Sequence, residues 1–239
     1  MPIGICKLCL REKELRSSHF IPRGVYSYLR NECEQLLSRR GEVWVLPRLA
    51  EFDGAFPFST LLRTQPPLFD ETDVQVYAVA KNPVINRSAL IHFALGIFWK
   101  ASVHSWKGST TEPRIDLGTH SEALRKYLRD GGSFPGDMAL ALMVMPTPVR
   151  MICCFDPIRG SNPEFENFHF YVPGLFFSLG VGNVEDVKAM CLVSNPQGIV
   201  LVQDMTPQLT DLYRKAAKTA HKSKRLLEPL KNRKDIIGG

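Results

Sequence analysis

The chain has 239 residues, 44% hydrophobic and 23% charged, with 30 Lys and Arg against 24 Asp and Glu for a net charge of +6. At about 100–200 residues per domain, this length suits one large domain or a small module joined to a larger one. The near-average composition excludes collagen, coiled coil and wholesale disorder, and a chain this long can bury a core without disulfide staples.

In chain order, residues 1–48 read as a small, turn-rich module: a Cys-x-x-Cys turn, a short strand, then a helix rich in Arg and Glu. Residues 49–82 read as loop, with Pro57 and the Pro66-Pro67 pair, ending in a short strand at Val74–Val79. The clearest helix follows. Asn86 or Ser88 can cap it, and Leu90, Phe93, Ala94, Ile97, Phe98 and Ala101 recur at three- and four-residue spacing, which predicts a helix to about Trp106. Gly108-Ser109-Thr110-Thr111 breaks it, and a second helix is predicted over His120–Arg129, stopped by Gly131-Gly132. Six short runs rich in β-branched or aromatic residues come next: Ala139–Met145, Val149–Phe155, Phe165–Val172, Phe176–Leu179, Val187–Ser194 and Ile199–Gln203. Their spacing predicts an antiparallel meander, and a last helix is expected over Pro207–Leu227. The expected class is therefore α+β: a module over 1–48, then an α+β domain over 49–239 with a central helix pair, an antiparallel sheet and a C-terminal helix.

Charge is concentrated at the two ends. Lys7–Arg48 carries nine basic and five acidic residues, Asp211–Asp235 nine and three, and the stretch between them twelve and sixteen. Basic ends suit a polyanion such as nucleic acid; a solvated helix face that keeps the protein soluble explains the C-terminal run equally well. The start, MPIGICKLCLREKE, turns polar before an apolar region forms, so no signal peptide is read. The longest uncharged run, Asn167–Val184, holds His169, Pro173 and three glycines and is poor material for a membrane span. A cytoplasmic protein is expected, with thiols rather than disulfides. Cys153, Cys154 and Cys191 lie in apolar surroundings and read as ordinary core residues.

Cys6, Cys9 and Cys33 need another explanation. Cys6-Lys7-Leu8-Cys9 is a tight turn that can place two sulfurs on one metal ion, although the same spacing also serves redox chemistry. His19, within Ser18-His19-Phe20-Ile21-Pro22, follows ten residues after Cys9, and Cys33 fourteen residues after His19.

That order resembles the HNH nuclease family, whose ββα-metal fold carries a Cys-x-x-Cys knuckle, a histidine before Ile-Pro at a strand end, and a second knuckle near the helix. C-K-L-C, S-H-F-I-P and C-E-Q-L-L-S-R-R-G-E-V-W-V-L look most like a group of bacterial HNH-like proteins, with a looser likeness in the helix around His92 and His104. The resemblance implies structural Zn²⁺ on Cys6, Cys9 and Cys33, His19 as general base and Mg²⁺ or Mn²⁺ at the scissile phosphate, with Glu34 or Asn31 as candidate helix residues. Nucleic acid, DNA before RNA, would be the partner, contacted by Arg39, Arg40, Arg48, Lys215, Lys218, Lys222, Lys224 and Arg225; a protein partner or a second copy also fits, and a membrane does not. The chain departs from the pattern at Arg30, where a second knuckle would place a cysteine, and at Ser18, where an acidic residue often precedes the histidine. Ten residues between Pro22 and Cys33 leave little room for the usual second strand. A zinc module without catalysis, with His19 itself as the fourth ligand, is the alternative.

Overall fold

The computed structural model describes the backbone of residues 3–14, 16–19, 25–29, 31–103 and 115–222, and the side chains of 3–12, 32–103 and 115–214. It falls into two units, residues 1–203 and 204–239.

The first unit is organised by a seven-stranded sheet. Its strands are β5 (Phe69–Asp70), β6 (Val74–Ala78), β7 (Met138–Val144), β8 (Phe155–Arg159), β9 (Glu166–Val172), β10 (Leu175–Val181) and β11 (Ile199–Gln203), in the order β5-β6-β11-β7-β10-β9-β8. Ahead of it in the chain come two hairpins, β1 (Ile3–Ile5) with β2 (Glu12–Glu14) and β3 (Arg16–His19) with β4 (Val25–Leu29). A helical segment then runs through α1 (Asn31–Leu37), a π-helical stretch Ser38–Glu42 and α2 (Val43–Val45) to a 3₁₀ turn at Leu46–Arg48. Further helices are α3 (Pro57–Leu62), α4 (Arg87–Val103) and α5 (His120–Asp130).

Alternation builds the core. On β7, β9 and β10 the even or odd set that faces α4 is apolar throughout: Leu140, Leu142 and Val144; Phe168, Phe170 and Val172; Leu175, Phe177 and Leu179. Phe93 and Phe98 of α4 meet Phe170 edge-on at 6.2 and 4.9 Å between ring centres. α4 has no polar face over Ala89–Ala101, where every residue but His92 is buried. A helix apolar on all sides must be covered on all sides. The sheet covers one side, and the α1–π–α2 segment and α5 cover others. The closest approach is at Gly41, where a Cβ would lie 2.6 Å from the backbone nitrogen of Phe93, so only glycine fits.

The same interface buries a charge. Lys100 of α4 is 1% exposed, and its Nζ lies 3.3 Å from Glu34 Oε1 and 3.1 Å from Glu42 Oε1. The buried residues described within 1–48, namely Cys6, Leu8, Cys33, Leu37 and Val45, belong to the cluster that contains the sheet residues.

The sheet is mixed rather than an antiparallel meander. β8-β9-β10-β7 and β5-β6-β11 are antiparallel, but β11 lies parallel to β7, pairing Leu201 with Met143. Val187–Ser194 is not a strand. Glu185–Met190 forms a 3₁₀ turn, and Val184, Val187 and Cys191, at helical rather than two-residue spacing, seal the sheet's second face with Ala139 and Phe165. Val149–Phe155 contributes only Phe155, because the Met151 carbonyl accepts from the Tyr171 hydroxyl (2.6 Å) instead of joining a ladder. β8 follows instead, and tolerates Pro157 because it is an edge strand. Within 49–82, Pro57 opens α3 where a loop was expected, since a first-turn proline forfeits no helical hydrogen bond. Finally, β4 does fit between Pro22 and Cys33. The helices α4 and α5 stand where the periodicity puts them, although residues 104–114, with His104 and Trp106, lie outside the described residues.

In the second unit, α6 spans Thr206–Lys222, its first turn fixed by Asp204 Oδ1 accepting from the Thr206 amide at 2.8 Å. Among the described residues no helix is long and apolar enough to cross a membrane.

Lys100→Met leaves two carboxylates, each about a quarter exposed or less, without the cation between them. Breaking a buried pair in this way costs about 3 kcal/mol. Denaturant unfolding should show a loss of that order, largely recovered when Glu34→Gln and Glu42→Gln are added; a single variant as stable as the parent overturns the assignment.

Candidate metal centre

The β1–β2 hairpin is closed by the Cys-x-x-Cys turn. The Cys6 amide donates to the Arg11 carbonyl (3.0 Å) and the Leu10 amide to the Cys6 carbonyl (2.8 Å). Leu10 takes a left-handed conformation, φ +58°, which turns the chain back into β2 directly after Cys9. Cys33 comes from the first turn of α1. The hairpin and the helix bring the three Sγ atoms within 4.8 Å of one another, with Cys6 and Cys33 buried and Cys9 half-buried.

No disulfide joins any of the six cysteines. A tetrahedral zinc with Zn–S bonds of about 2.3 Å needs sulfurs about 3.8 Å apart, so the cluster is close to a binding geometry. The donor set fits too. The hydrogen bond with Cys6, then burial, then the charges of Cys6 and Cys9 push the Cys33 thiol far above the ordinary cysteine range. A divalent cation bound among the three sulfurs would supply the positive charge that favours the Cys33 thiolate. Among the described residues, no fourth His, Cys, Asp or Glu ligand atom joins the three, and no second such group of three or more is gathered elsewhere.

Both ligand-bearing segments are tied to α5. Arg125 Nη1 donates to the Leu8 carbonyl, inside the Cys-x-x-Cys turn, at 2.6 Å. Arg40 Nη1, from the π-helical stretch after Cys33, donates to the Leu128 and Arg129 carbonyls at 2.9 and 3.3 Å, satisfying the C-terminal end of α5 ahead of Gly131.

Of the residues singled out from the sequence, Cys6, Cys9 and Cys33 converge. Glu34 is next to the cluster but ion-paired with Lys100. Arg39 is exposed, Arg40 is engaged on α5, and Arg48 stacks on the Trp44 ring at 4.2 Å while donating to the Trp44 carbonyl. His19 is the last residue of β3, opposite Val25, and its side chain lies outside the described residues, as do those of Asn31, Lys215, Lys218 and Lys222. Arg30, Lys224 and Arg225 lie outside them altogether. His92 donates to the Ser88 carbonyl (3.1 Å) and stacks on Tyr127, and burial lowers its pKa, which makes it a hydrogen-bonded histidine beside the core. His169 sits on the sheet face away from α4, where burial pushes its pKa down to about 4 and keeps it neutral. Cys191 is buried, but Cys154 is exposed rather than a core residue.

Sequence reasoning missed Lys100 and Arg125. The signal for Lys100 was a lone lysine inside the apolar run Gly-Ile-Phe-Trp-Lys-Ala; for Arg125 it was a basic residue three after Glu122, between the buried Leu124 and Leu128. Comparison with protein-family models, with curated proteins and with solved structures finds no match to this chain.

Protein purified without added metal should carry one zinc per chain by elemental mass spectrometry, and Cys33→Ser should lose most of it. Folded protein with no zinc would remove the metal reading.

Proposed function

We propose that the chain is an HNH-related nucleic-acid-binding protein, stabilised by structural Zn²⁺ on Cys6, Cys9 and Cys33, that hydrolyses phosphodiester bonds with His19 as general base. The observation that carries this reading is the convergence of the three thiols across a chain order of cysteine pair, histidine-bearing strand, second strand and helix. A histidine with a pKa near 6.5 can take a proton from water at neutral pH. The Mg²⁺ or Mn²⁺ that the resemblance implies would supply electrostatic stabilisation of the phosphate charge. Basic residues at both chain ends supply phosphate contacts without reading sequence.

One observation favours a second reading, a zinc-binding interaction module without catalysis. Glu34, the carboxylate nearest the expected helix position, is held by the buried Lys100, and the cysteine cluster is the one group of three or more ligand atoms among the described residues.

Nicking of supercoiled plasmid in Mg²⁺ or Mn²⁺ separates the two. On the leading reading His19→Ala abolishes nicking and retains zinc; on the second there is no nicking, and loss of zinc from His19→Ala identifies the histidine as a ligand. Binding is tested apart from cleavage. Removing one phosphate-binding cation flattens the plot of log affinity against log salt by about 0.9 for duplex DNA. Replacing Lys215, Lys218 and Lys222 by Ala should therefore shallow that slope, and an unchanged slope removes α6 from the interface.

A further inference from the structure

We propose that Arg125 is a positioning residue of the metal centre: from α5 it holds the Cys6–Cys9 turn in its binding conformation and supplies the positive charge that three bound thiolates require. The proposal rests on the zinc reading above and adds a residue from far outside the N-terminal segment that carries the resemblance.

The geometry is specific. Glu122 Oε2 accepts from Arg125 Nε at 2.7 Å and Oε1 from Nη2 at 2.8 Å, a two-point clamp that fixes the plane of the guanidinium. The remaining nitrogen, Nη1, is thereby aimed at the Leu8 carbonyl, 117 residues away in sequence and 2.6 Å away in space. Leu8 is fully buried and Arg125 is 8% exposed, so this carbonyl has no access to bulk water and depends on a protein donor. The bond holds the peptide that joins Leu8 to Cys9. A turn free to rotate its Leu8 peptide would also move the Cys9 sulfur relative to Cys6.

The charge argument is independent of the hydrogen bond. Three thiolates on a dication leave one net negative charge in a largely buried site. Arg125 lies close enough to Cys9 for the two to interact electrostatically. Glu122 does not cancel this: its side chain is 53% exposed and screened by water, whereas that of Arg125 is 10% exposed. Arginine is required for the double role. A lysine ammonium could supply the charge or reach one acceptor, but not hold a clamp and a third bond in one plane.

The test is zinc affinity of the full chain by chelator competition, with the visible spectrum of the Co²⁺-loaded protein as a second readout. Outer-shell partners of metal ligands typically contribute about 10–100-fold to affinity. Arg125→Met should weaken zinc by that order at unchanged stoichiometry and shift the Co²⁺ bands, and Arg125→Lys should restore part of the affinity. An arginine that merely packs α5 would lower the melting temperatures of metal-free and zinc-loaded protein alike; a positioning residue shrinks the gap between them. Should Arg125→Met fail to fold, Glu122→Gln keeps the guanidinium but loosens its clamp and should weaken zinc in the same direction. Competition curves that superimpose on the parent's, for Arg125→Met or failing that Glu122→Gln, overturn the proposal while zinc binding stands. A parent protein that takes up no zinc overturns both.

Discussion

A lysine with 1% of its side chain exposed sets the arrangement of the N-terminal half. Taking an ammonium out of water costs several kcal/mol, and Lys100 is tolerable only with carboxylates against it. Glu34 and Glu42 are eight residues apart on one helical segment, on either side of most of the π-helical stretch. Both can reach Lys100 only if that segment lies along α4 in a single register. Gly41, between them in sequence, permits the contact by offering no Cβ where Phe93 passes. Any slide along α4 would set a carboxylate or the lysine against apolar surface, so the charge specifies position more than it adds stability.

From that register the cysteine cluster follows. Cys33 is adjacent to Glu34 and moves with it. Arg40, next to Gly41, is brought to the end of α5, where two carbonyls lack helical partners. α5 in turn presents Arg125 to the cysteine turn. The three sulfurs therefore meet through a closed circuit: α4 fixes the α1 segment, that segment engages α5, and α5 engages the hairpin. The cysteine segment is part of the main core, which is why Cys6 and Leu8 are buried by residues far along the chain.

The sequence made some of this legible and not the rest, for identifiable reasons. Helix α4 was readable as a capped apolar run too long for a strand, and β11 as a short β-branched run directly after Gly198. The cysteine cluster was readable because Cys-x-x-Cys is a local turn, and because Cys33 follows at a spacing the family resemblance made meaningful. β8 was not readable, since an edge strand with a proline lacks the alternation that marks a buried one. The 3₁₀ turn at Glu185–Met190 was misread as strand because Val187, Ala189, Cys191 and Val193 alternate along the chain while Val184, Val187 and Cys191 do the packing. Arg125 and Lys100 were invisible for a different reason. Each is defined by a partner 58 to 117 residues away, and no local pattern encodes such a pairing.

The same circuit accounts for how a cysteine pair and a lone third thiol are held together. In a two-knuckle centre each cysteine pair is fixed by its own turn, so the metal and local backbone suffice to hold the ligands. Here Arg30 stands where the HNH resemblance would place the start of a second pair, and Cys33 is carried by the first turn of a helix. A lone thiol on a helix keeps its place only if the helix does. Lys100 and Arg40 supply that constraint from α4 and to α5, and Arg125 supplies the matching one on the hairpin side. The orientation that a second knuckle would provide is thus provided by cation-to-oxygen bonds across the core. It follows that residues 1–48 cut from the chain would carry all three cysteines and lack two of the three side chains that bring them together.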